Sequence, residues 1–181
     1  MTVIVRETKE TRIRCELTCG SGTADVSTDQ PFLDHMLVVF ARYSGLNLIL
    51  QATGDLQHHL VEDVAICLGG AVAALLPATA ARYGDSTVPM DEALVHCALD
   101  LGGRPFYKGP LPSDLYEHWM RSFSDNARAT LHLRVLRGSD RHHIVEAAFK
   151  ALGLSMREAF VDSGAVFSTK GDVGMHVEES P

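Results

Sequence analysis

Two segments that share the pattern His-His-x-Val-Glu decide the fold: HHLVEDVAICLGG at residues 58–70 and HHIVEAAFKALGL at residues 142–154. When the chain is shifted against itself by 84 residues, seven of the sixteen positions in 54–69 meet an identical residue. The matches lie in one ungapped register, which two unrelated amphipathic helices would not share. We infer an internal duplication, with a first structural repeat at 1–88 and a second at 89–181 that together form one compact unit.

The sequence around each segment predicts the same order of strands and helices. Residues 2–28 alternate between apolar and polar side chains, which predicts two or three antiparallel strands. A helix at 30–43, a strand at 46–53 and a helix at 58–76 follow. The second half repeats this order with two strands (ALVHCALDLGG and RPFYKG), a helix (SDLYEHWMRSFSDNA), a strand (ATLHLRVL) and the helix that begins with the second His-His pair.

The composition is that of an ordinary globular domain, except for histidine. The 181 residues are 46% hydrophobic and 22% charged, which argues against a disordered chain or a coiled coil. Nine residues are histidine, and four of them form the two adjacent pairs. The formal charge is −7 and the 16 Lys and Arg residues are scattered along the chain, so we expect no nucleic-acid partner.

The N-terminus and the cysteines indicate a cytoplasmic protein. The first ten residues, MTVIVRETKE, contain no apolar signal core. The four cysteines form no Cys-x-x-Cys pair, so we expect them to be reduced and buried. Residues 64–81 carry no charge over 18 positions, which is long enough to span a membrane, but they are rich in Ala and contain Pro77. We interpret this stretch as a buried helix and expect no membrane partner.

Each repeat has His and Glu four residues apart at the start of a helix. Residues i and i+4 share a helix face, whereas residue i+1 is turned away by about 100°. His58 and Glu62 can therefore bind one metal ion, while His59 points elsewhere. The second repeat offers the same arrangement with His142, Glu146 and His143. Two copies related by duplication thus predict two equivalent metal sites, each drawing on both motifs.

Two further histidines can supply the remaining ligands, His35 in FLDHM and His132 in TLHLRV. This gives two sites of three His and one Glu each. Such a mixture of donors suits Mn, Fe, Co, Ni or Zn and argues against Ca or Mg. The alternative is that adjacent histidines form a solvated polar turn at the start of a helix. The second copy in register argues against that alternative, and the absence of HExxH argues against a zinc protease.

Seven motifs occur in an order that resembles the imidazoleglycerol-phosphate dehydratase family. They are FLDHM (32–36), Gly-Asp followed by HHxxED (54–63), PMDEAL (89–94), DLGGRP (100–105), LHLRVL (131–136), HHIVEAAFKAL (142–152) and STKG (168–171). The resemblance covers nearly the whole chain. It implies an α/β fold of the α+β type, in which two duplicated halves pack their helices between two mainly antiparallel sheets (ribosomal protein S5 domain 2-like).

The resemblance also implies the reaction, the cofactor and the assembly. The enzyme would be a carbon–oxygen hydro-lyase of histidine biosynthesis that converts D-erythro-imidazole-glycerol phosphate, a small phosphorylated imidazole, to imidazole acetol phosphate. No carbonyl activates the C–H bond to be broken, so the imidazole ring must accept the electrons as a metal-stabilised imidazolate. The resemblance implies two Mn²⁺ ions per active site, at the subunit interfaces of a 24-subunit homo-oligomer.

The family's functional residues carry over by motif position. One metal ion takes His58, Glu62, His132 and His143. The other takes His35, His59, His142 and Glu146. The resemblance assigns catalysis to Glu10, His59 and Glu146, with Glu10 as the candidate acid/base. It assigns the substrate phosphate to Arg82, Arg104, Ser168, Thr169 and Lys170.

The sequence departs from the family in one helix. After FLDHM the family usually has Asp-Gln and then His four residues past the Gln, where this chain has Val38, Val39 and Tyr43. This difference supports an alternative function, a non-catalytic relative in which metals only assemble the shell. A dinuclear metal hydrolase is a third interpretation, disfavoured by the length of the match. His118 lies close to the position that the 84-residue shift gives for a partner of His35, and we interpret it as a helix-packing residue.

Overall fold

Eight strands and four helices form residues 1–166, the part of the chain that the computed structural model describes. The first half contains β1 (Thr2–Glu7), β2 (Thr11–Cys19), β3 (Ala24–Ser27), α1 (Pro31–Ser44), β4 (Leu46–Gly54) and α2 (Gln57–Leu75). The second half contains β5 (Tyr83–Met90), β6 (Ala93–Asp100), β7 (Phe106–Lys108), α3 (Asp114–Asn126), β8 (Thr130–Arg137) and α4 (Arg141–Ala159). Both halves therefore follow the order β-β-β-α-β-α.

The two sheets have equivalent strand orders, β1-β2-β4-β3 and β5-β6-β8-β7. In each sheet two of the three pairings are antiparallel, and the third, β3 with β4 or β7 with β8, is parallel. β1 and β2 form the predicted antiparallel pair, whereas β3 pairs in parallel with β4. The helix α1 connects β3 to β4 as a crossover, so the chain enters β4 in the same direction. The predicted fold class, two α+β halves with mainly antiparallel sheets, is confirmed.

The helices lie between the sheets and join the two halves. α2 packs on β1 and β2 and against α3, whereas α4 packs on β5 and β6 and against α1. Each helix pair thus combines one helix from each half. Trp119 of α3 is fully buried and its ring lies 4.6 Å from that of Phe149 in α4, so the two pairs share a single hydrophobic core.

The position of β5 bears on the boundary between the repeats. The predicted boundary at residue 88 falls inside β5, the strand that corresponds to β1. We propose that the second repeat begins between α2 and β5. Because the helix pairs cross from one half to the other, neither repeat has a complete core of its own.

The repeated glycines Gly69 and Gly153 allow the paired helices to approach closely. A Cβ on Gly69 would lie 2.6 Å from the carbonyl oxygen of Phe123 in α3. A Cβ on Gly153 would lie 2.7 Å from the Cβ of Tyr43 in α1. The duplicated Leu-Gly therefore serves the same purpose in both halves, since only a residue without a side chain fits at either helix crossing.

The variant Gly69→Ala is expected to destabilise the protein by about 1–3 kcal/mol, because the added methyl group would overlap backbone atoms of α3. Gly70→Ala is the matched control, since nothing lies within 4 Å of a Cβ at that position. There the reduced entropy of the unfolded chain should stabilise the protein by about 0.4–1 kcal/mol. Urea unfolding measures both changes in the free energy of unfolding. Equal effects of the two substitutions would contradict the close crossing.

The apolar stretch lies mostly in α2, and three of the four cysteines are buried. By length and composition α2 could cross a membrane, but 56% of its apolar window is buried inside the protein, as in the core helix of a globular domain. All four cysteines are free, and Cys15, Cys67 and Cys97 are buried as expected. Cys19 is exposed at the end of β2, which differs from the prediction. Burial raises the pKa of the Cys15 and Cys97 thiols to about 12, so neither is a nucleophile.

Candidate metal centres

The first cluster of potential ligands comprises His58 and Glu62 at the start of α2 and His118 of α3. The Oε2 atom of Glu62 lies 3.8 Å from His58 Nε2 and 3.2 Å from His118 Nε2. The two imidazole rings are stacked with their centroids 5.0 Å apart. The Nε2 atom of His118 is buried and has no hydrogen-bond partner of acceptable geometry among the described residues. A buried nitrogen without a hydrogen-bond partner, close to a carboxylate and beside a second imidazole, is an arrangement that a metal ion can satisfy.

The second cluster comprises His142 and Glu146 at the start of α4 and His35 of α1. Both histidine Nε2 atoms lie 3.3 Å from Glu146 Oε2. The other carboxylate oxygen, Oε1, accepts a hydrogen bond of 2.8 Å from Lys150 Nζ. Burial raises the pKa of Glu146, but the hydrogen bonds from Lys150 and His35 outweigh burial and hold this pKa below its usual value. Glu146 is therefore an ionised, oriented potential ligand.

The crossed helix pairs explain why the two clusters are equivalent. His35 is the fifth residue of α1 and His118 is the fifth residue of α3. Because α1 packs on α4 and α3 on α2, each of these histidines meets the His-x-x-x-Glu pair of the other half. The clusters differ in one charge, since the position that corresponds to Lys150 is Ile66.

Both clusters fit a divalent transition metal. In each, the three ligand atoms lie within 4.8 Å of one another, a spacing that one ion can bridge. Two imidazoles and one carboxylate favour Mn, Fe, Co, Ni or Zn over Ca or Mg. The histidines are partly exposed, which leaves coordination positions open to further ligands.

The second histidine of each pair lies away from the cluster on its own helix. His59 Nδ1 is 2.9 Å from Asp55 Oδ1 and 3.6 Å from Glu10 Oε2. His143 Nδ1 is 2.7 Å from Glu92 Oε2. These hydrogen bonds raise the pKa of both histidines. The pKa of Glu92 is lowered to about 2, first by the hydrogen bond from the Asp140 backbone N–H and second by the hydrogen bond from His143. The rotation between neighbouring helix residues thus separates His59 and His143 from the ligands beside them, as the spacing predicts.

The structure does not bring His132 to either cluster. It is exposed on β8 between the buried residues Leu131 and Leu133, and its ring lies 5.5 Å from that of Phe106. Alternation along a strand directs its side chain to the face of the sheet opposite the helices. His118, interpreted above as a packing residue, occupies the place beside His58 and Glu62 that was predicted for His132. The sequence contained the signal, because a duplicated site requires a counterpart of His35 close to 84 residues along.

Of the residues assigned to the substrate phosphate, the structure describes two. The Arg82 guanidinium binds Asp100 Oδ1 at 2.9 Å and the Leu101 carbonyl at 2.9 Å. The Arg82 guanidinium also lies beside Gly103, and the exposed Arg104 is the next residue. The two arginines therefore lie at the same end of the second sheet. The other three assigned residues, Ser168, Thr169 and Lys170, lie outside the described residues.

The helix segment that departs from the family pattern lies next to the second cluster. Val39 is buried in the core, whereas Val38 is 43% exposed. The Lys150 ammonium that binds Glu146 lies 5.7 Å from the centre of the Tyr43 ring, a cation–π contact. Tyr43 is therefore connected to this cluster through its contact with Lys150.

A duplicated α/β scaffold with two His-His-Glu clusters in residues 1–166 defines a class of protein, the metal-dependent enzymes built by duplication. A family model described as imidazoleglycerol-phosphate dehydratase matches residues 28–156. The chain belongs to the imidazoleglycerol-phosphate dehydratase family.

Relatives and solved structures agree with this assignment. The imidazoleglycerol-phosphate dehydratase of Chlorobium chlorochromatii is 44% identical over 185 residues, which cover 93% of this chain and 94% of the relative. The structure of IGPD from Pyrococcus furiosus in complex with (S)-C348 matches with a TM-score of 0.85 and 38% identity, over 94% of this chain and 100% of that one. The enzyme from Staphylococcus aureus matches with a TM-score of 0.78 and 30% identity, over 90% and 100%. The predictions of the family, the fold and a hydro-lyase of histidine biosynthesis are confirmed.

Proposed function

We propose that this chain dehydrates imidazole glycerol phosphate to imidazole acetol phosphate with two transition-metal ions, Mn²⁺ in the native enzyme. The observation that carries this proposal is the pair of equivalent His-His-Glu clusters in a chain of this family. Bound metal ions supply Lewis-acid stabilisation of the negative charge that develops on the imidazole ring. The metal requirement follows from the substrate, which has no carbonyl group next to the C–H bond.

The proposed ligands of one ion are His58, Glu62 and His118, and those of the other are His35, His142 and Glu146. His59 and His143 point away from these clusters, so we propose that each completes a metal site of a neighbouring copy. This retains seven of the eight predicted ligands and replaces His132 with His118. Two observations support this replacement. His118 Nε2 lies 3.2 Å from Glu62 Oε2, whereas His132 lies on the face of the second sheet that points away from the helices.

Glu10 is the proposed acid/base. It lies in the turn between β1 and β2, where its backbone carbonyl accepts a hydrogen bond of 3.0 Å from Asp55 N. Its carboxylate is 56% exposed and 3.6 Å from His59 Nδ1. An anchored backbone with a free carboxylate beside a metal-binding imidazole suits proton transfer to a bound substrate. His59 and Glu146, which the family resemblance also assigns to catalysis, act in this proposal by holding metal.

The substrate phosphate is proposed to bind Arg82 and Arg104, whose guanidinium groups suit bidentate contact with phosphate oxygens. Ser168, Thr169 and Lys170 remain predicted phosphate ligands. Because His59 and His143 each need a second copy, the sites belong to subunit interfaces, and the 24-subunit shell is the assembly we propose. A cytoplasmic location is part of the same proposal.

An assay of the Mn²⁺-loaded protein with imidazole glycerol phosphate tests this function. We expect formation of imidazole acetol phosphate that is lost after metal removal and returns when Mn²⁺ is added. The alternative of a non-catalytic relative, which Val38, Val39 and Tyr43 suggested, predicts metal uptake and a shell without product. Absence of product above the metal-free control would therefore contradict the proposed function.

A further inference from the structure

Glu92 makes contacts that distinguish its two carboxylate oxygens. The residue lies in the tight turn between β5 and β6. Its Oε1 atom accepts hydrogen bonds from the backbone N–H groups of Ser139, at 3.2 Å, and Asp140, at 2.8 Å, just before α4. Its Oε2 atom lies 2.7 Å from His143 Nδ1. Glu92 thus connects the start of α4 to the histidine that lies away from both clusters.

These contacts determine which nitrogen of His143 carries the proton in the neutral ring. An ionised carboxylate can only accept hydrogen bonds, so His143 Nδ1 must be the donor. The proton of a neutral imidazole then sits on Nδ1, and the lone pair of Nε2 is free. In the described part of the chain, the carboxylate nearest to Nε2 is that of Asp91, at 3.6 Å, which is too long for a hydrogen bond.

We propose that Glu92 is a positioning residue that fixes the tautomer and orientation of His143, so that Nε2 can bind the metal ion of a neighbouring copy. This inference rests on the proposed role of His143 as a ligand. Carboxylates that hold the second nitrogen of a metal-binding histidine typically change metal affinity by 10–100-fold. Glu92 is 51 residues from His143 in the sequence, so only the fold reveals the pair.

Asp55 holds His59 as Glu92 holds His143, and it therefore provides a matched control. Its Oδ1 atom accepts both the Leu56 backbone N–H, at 2.7 Å, and the hydrogen bond from His59 Nδ1, at 2.9 Å. One oxygen therefore makes both contacts at Asp55, whereas Glu92 divides them between two oxygens. Replacing each acid by its amide removes the same charge but has different consequences for the histidine.

In Glu92→Gln the two backbone N–H groups require the amide oxygen, which turns the NH₂ group towards His143 Nδ1. That nitrogen must then accept, so the ring proton moves to Nε2, the atom that should bind metal. In Asp55→Asn the amide oxygen can keep both hydrogen bonds. We expect Mn²⁺ binding at one of the two sites per chain to weaken by about 10–100-fold in Glu92→Gln and to stay near the wild-type value in Asp55→Asn.

Titration of the metal-free protein with Mn²⁺, followed by the electron paramagnetic resonance of free Mn²⁺, measures these affinities. Thermal unfolding controls for the fold, since the backbone contacts of residue 92 are kept. The absorption spectrum of the Co²⁺ form should change in Glu92→Gln, because the ligand atom of His143 is then protonated. A purely structural role of Glu92 predicts an unchanged spectrum, since the metal's ligands would be unaltered. Wild-type affinity in Glu92→Gln, or equal weakening in both amide variants, would overturn the inference.

The variant His143→Ala separates this inference from the ligand assignment beneath it. If His143→Ala weakens one site and Glu92→Gln does not, the positioning role is wrong and the ligand assignment stands. If His143→Ala keeps both sites, the ligand assignment is wrong. In the double variant Glu92→Gln/His143→Ala, we expect no loss of affinity beyond that of His143→Ala alone, because Glu92 acts only through His143. A further loss would contradict that dependence.

Discussion

Replacement of Glu10 by glutamine is expected to lower kcat by about 10²–10⁴-fold, the usual contribution of a positioned acid/base. The amide has almost the same shape as the carboxylate but cannot take up a proton. The turn that holds residue 10 depends on its backbone, whose N–H donates to Thr8 Oγ1 at 3.1 Å and whose carbonyl accepts from Asp55 N. The metal content and the free energy of unfolding should therefore stay unchanged, and the loss should appear in kcat.

Glu7→Gln is the control for this prediction. Glu7 ends the strand just before the same turn, is 55% exposed and, among residues 1–166, pairs only with Arg12, at 2.9 Å. An exposed ion pair of this kind contributes about 0–1 kcal/mol, so the substitution should alter neither stability nor kcat appreciably. If Glu10→Gln turned over substrate at the rate of Glu7→Gln, Glu10 would not be the acid/base.

Much of the fold could be predicted from the sequence because the duplication repeats a local pattern. The spacing of His58 and Glu62 determines which residues share a helix face, and the second copy confirms that the pattern is not accidental. The direction of β3 could not be predicted in the same way. Its four residues carry no information about which strand they pair with, and the crossover through α1 decides that pairing.

The clusters depend on contacts that local patterns do not contain. His35 meets Glu146 across 111 residues of sequence, because α1 packs on α4 rather than on its own half. The sequence analysis assigned His132 to the first cluster and interpreted His118 as a helix-packing residue. Strand alternation places His132 on the face of β8 that points away from the helices, and so away from the first cluster of the same chain. The counterpart of His35 in the duplication is the stronger guide, and it identifies His118.

The two sites are equivalent in origin but not in charge. Glu146 has Lys150 on its second oxygen, while Glu62 has Ile66 at the corresponding position. The substitutions that distinguish this chain from the family pattern also fall on this side, since Tyr43 contacts Lys150. The second cluster therefore has an ammonium group that the first lacks at the corresponding position, while the potential ligand atoms of both keep the same arrangement.

Loss of His118 should remove one of the two metal ions per chain. His118→Ala deletes one of three ligands in the first cluster, which leaves only His58 and Glu62 in place. Because metal affinity depends on the number of ligands already in position, we expect this ion to be lost on dialysis. The second cluster shares no residue with the first, so its ion should stay.

His132→Ala is the matched control, because it removes the same side chain from an exposed position on a sheet face. Metal analysis of the two dialysed variants beside the wild-type protein tests whether His118 or His132 completes the first cluster. We expect two equivalents of Mn²⁺ per chain in the wild type and in His132→Ala, and one in His118→Ala. Two equivalents in His118→Ala with one in His132→Ala would contradict this expectation.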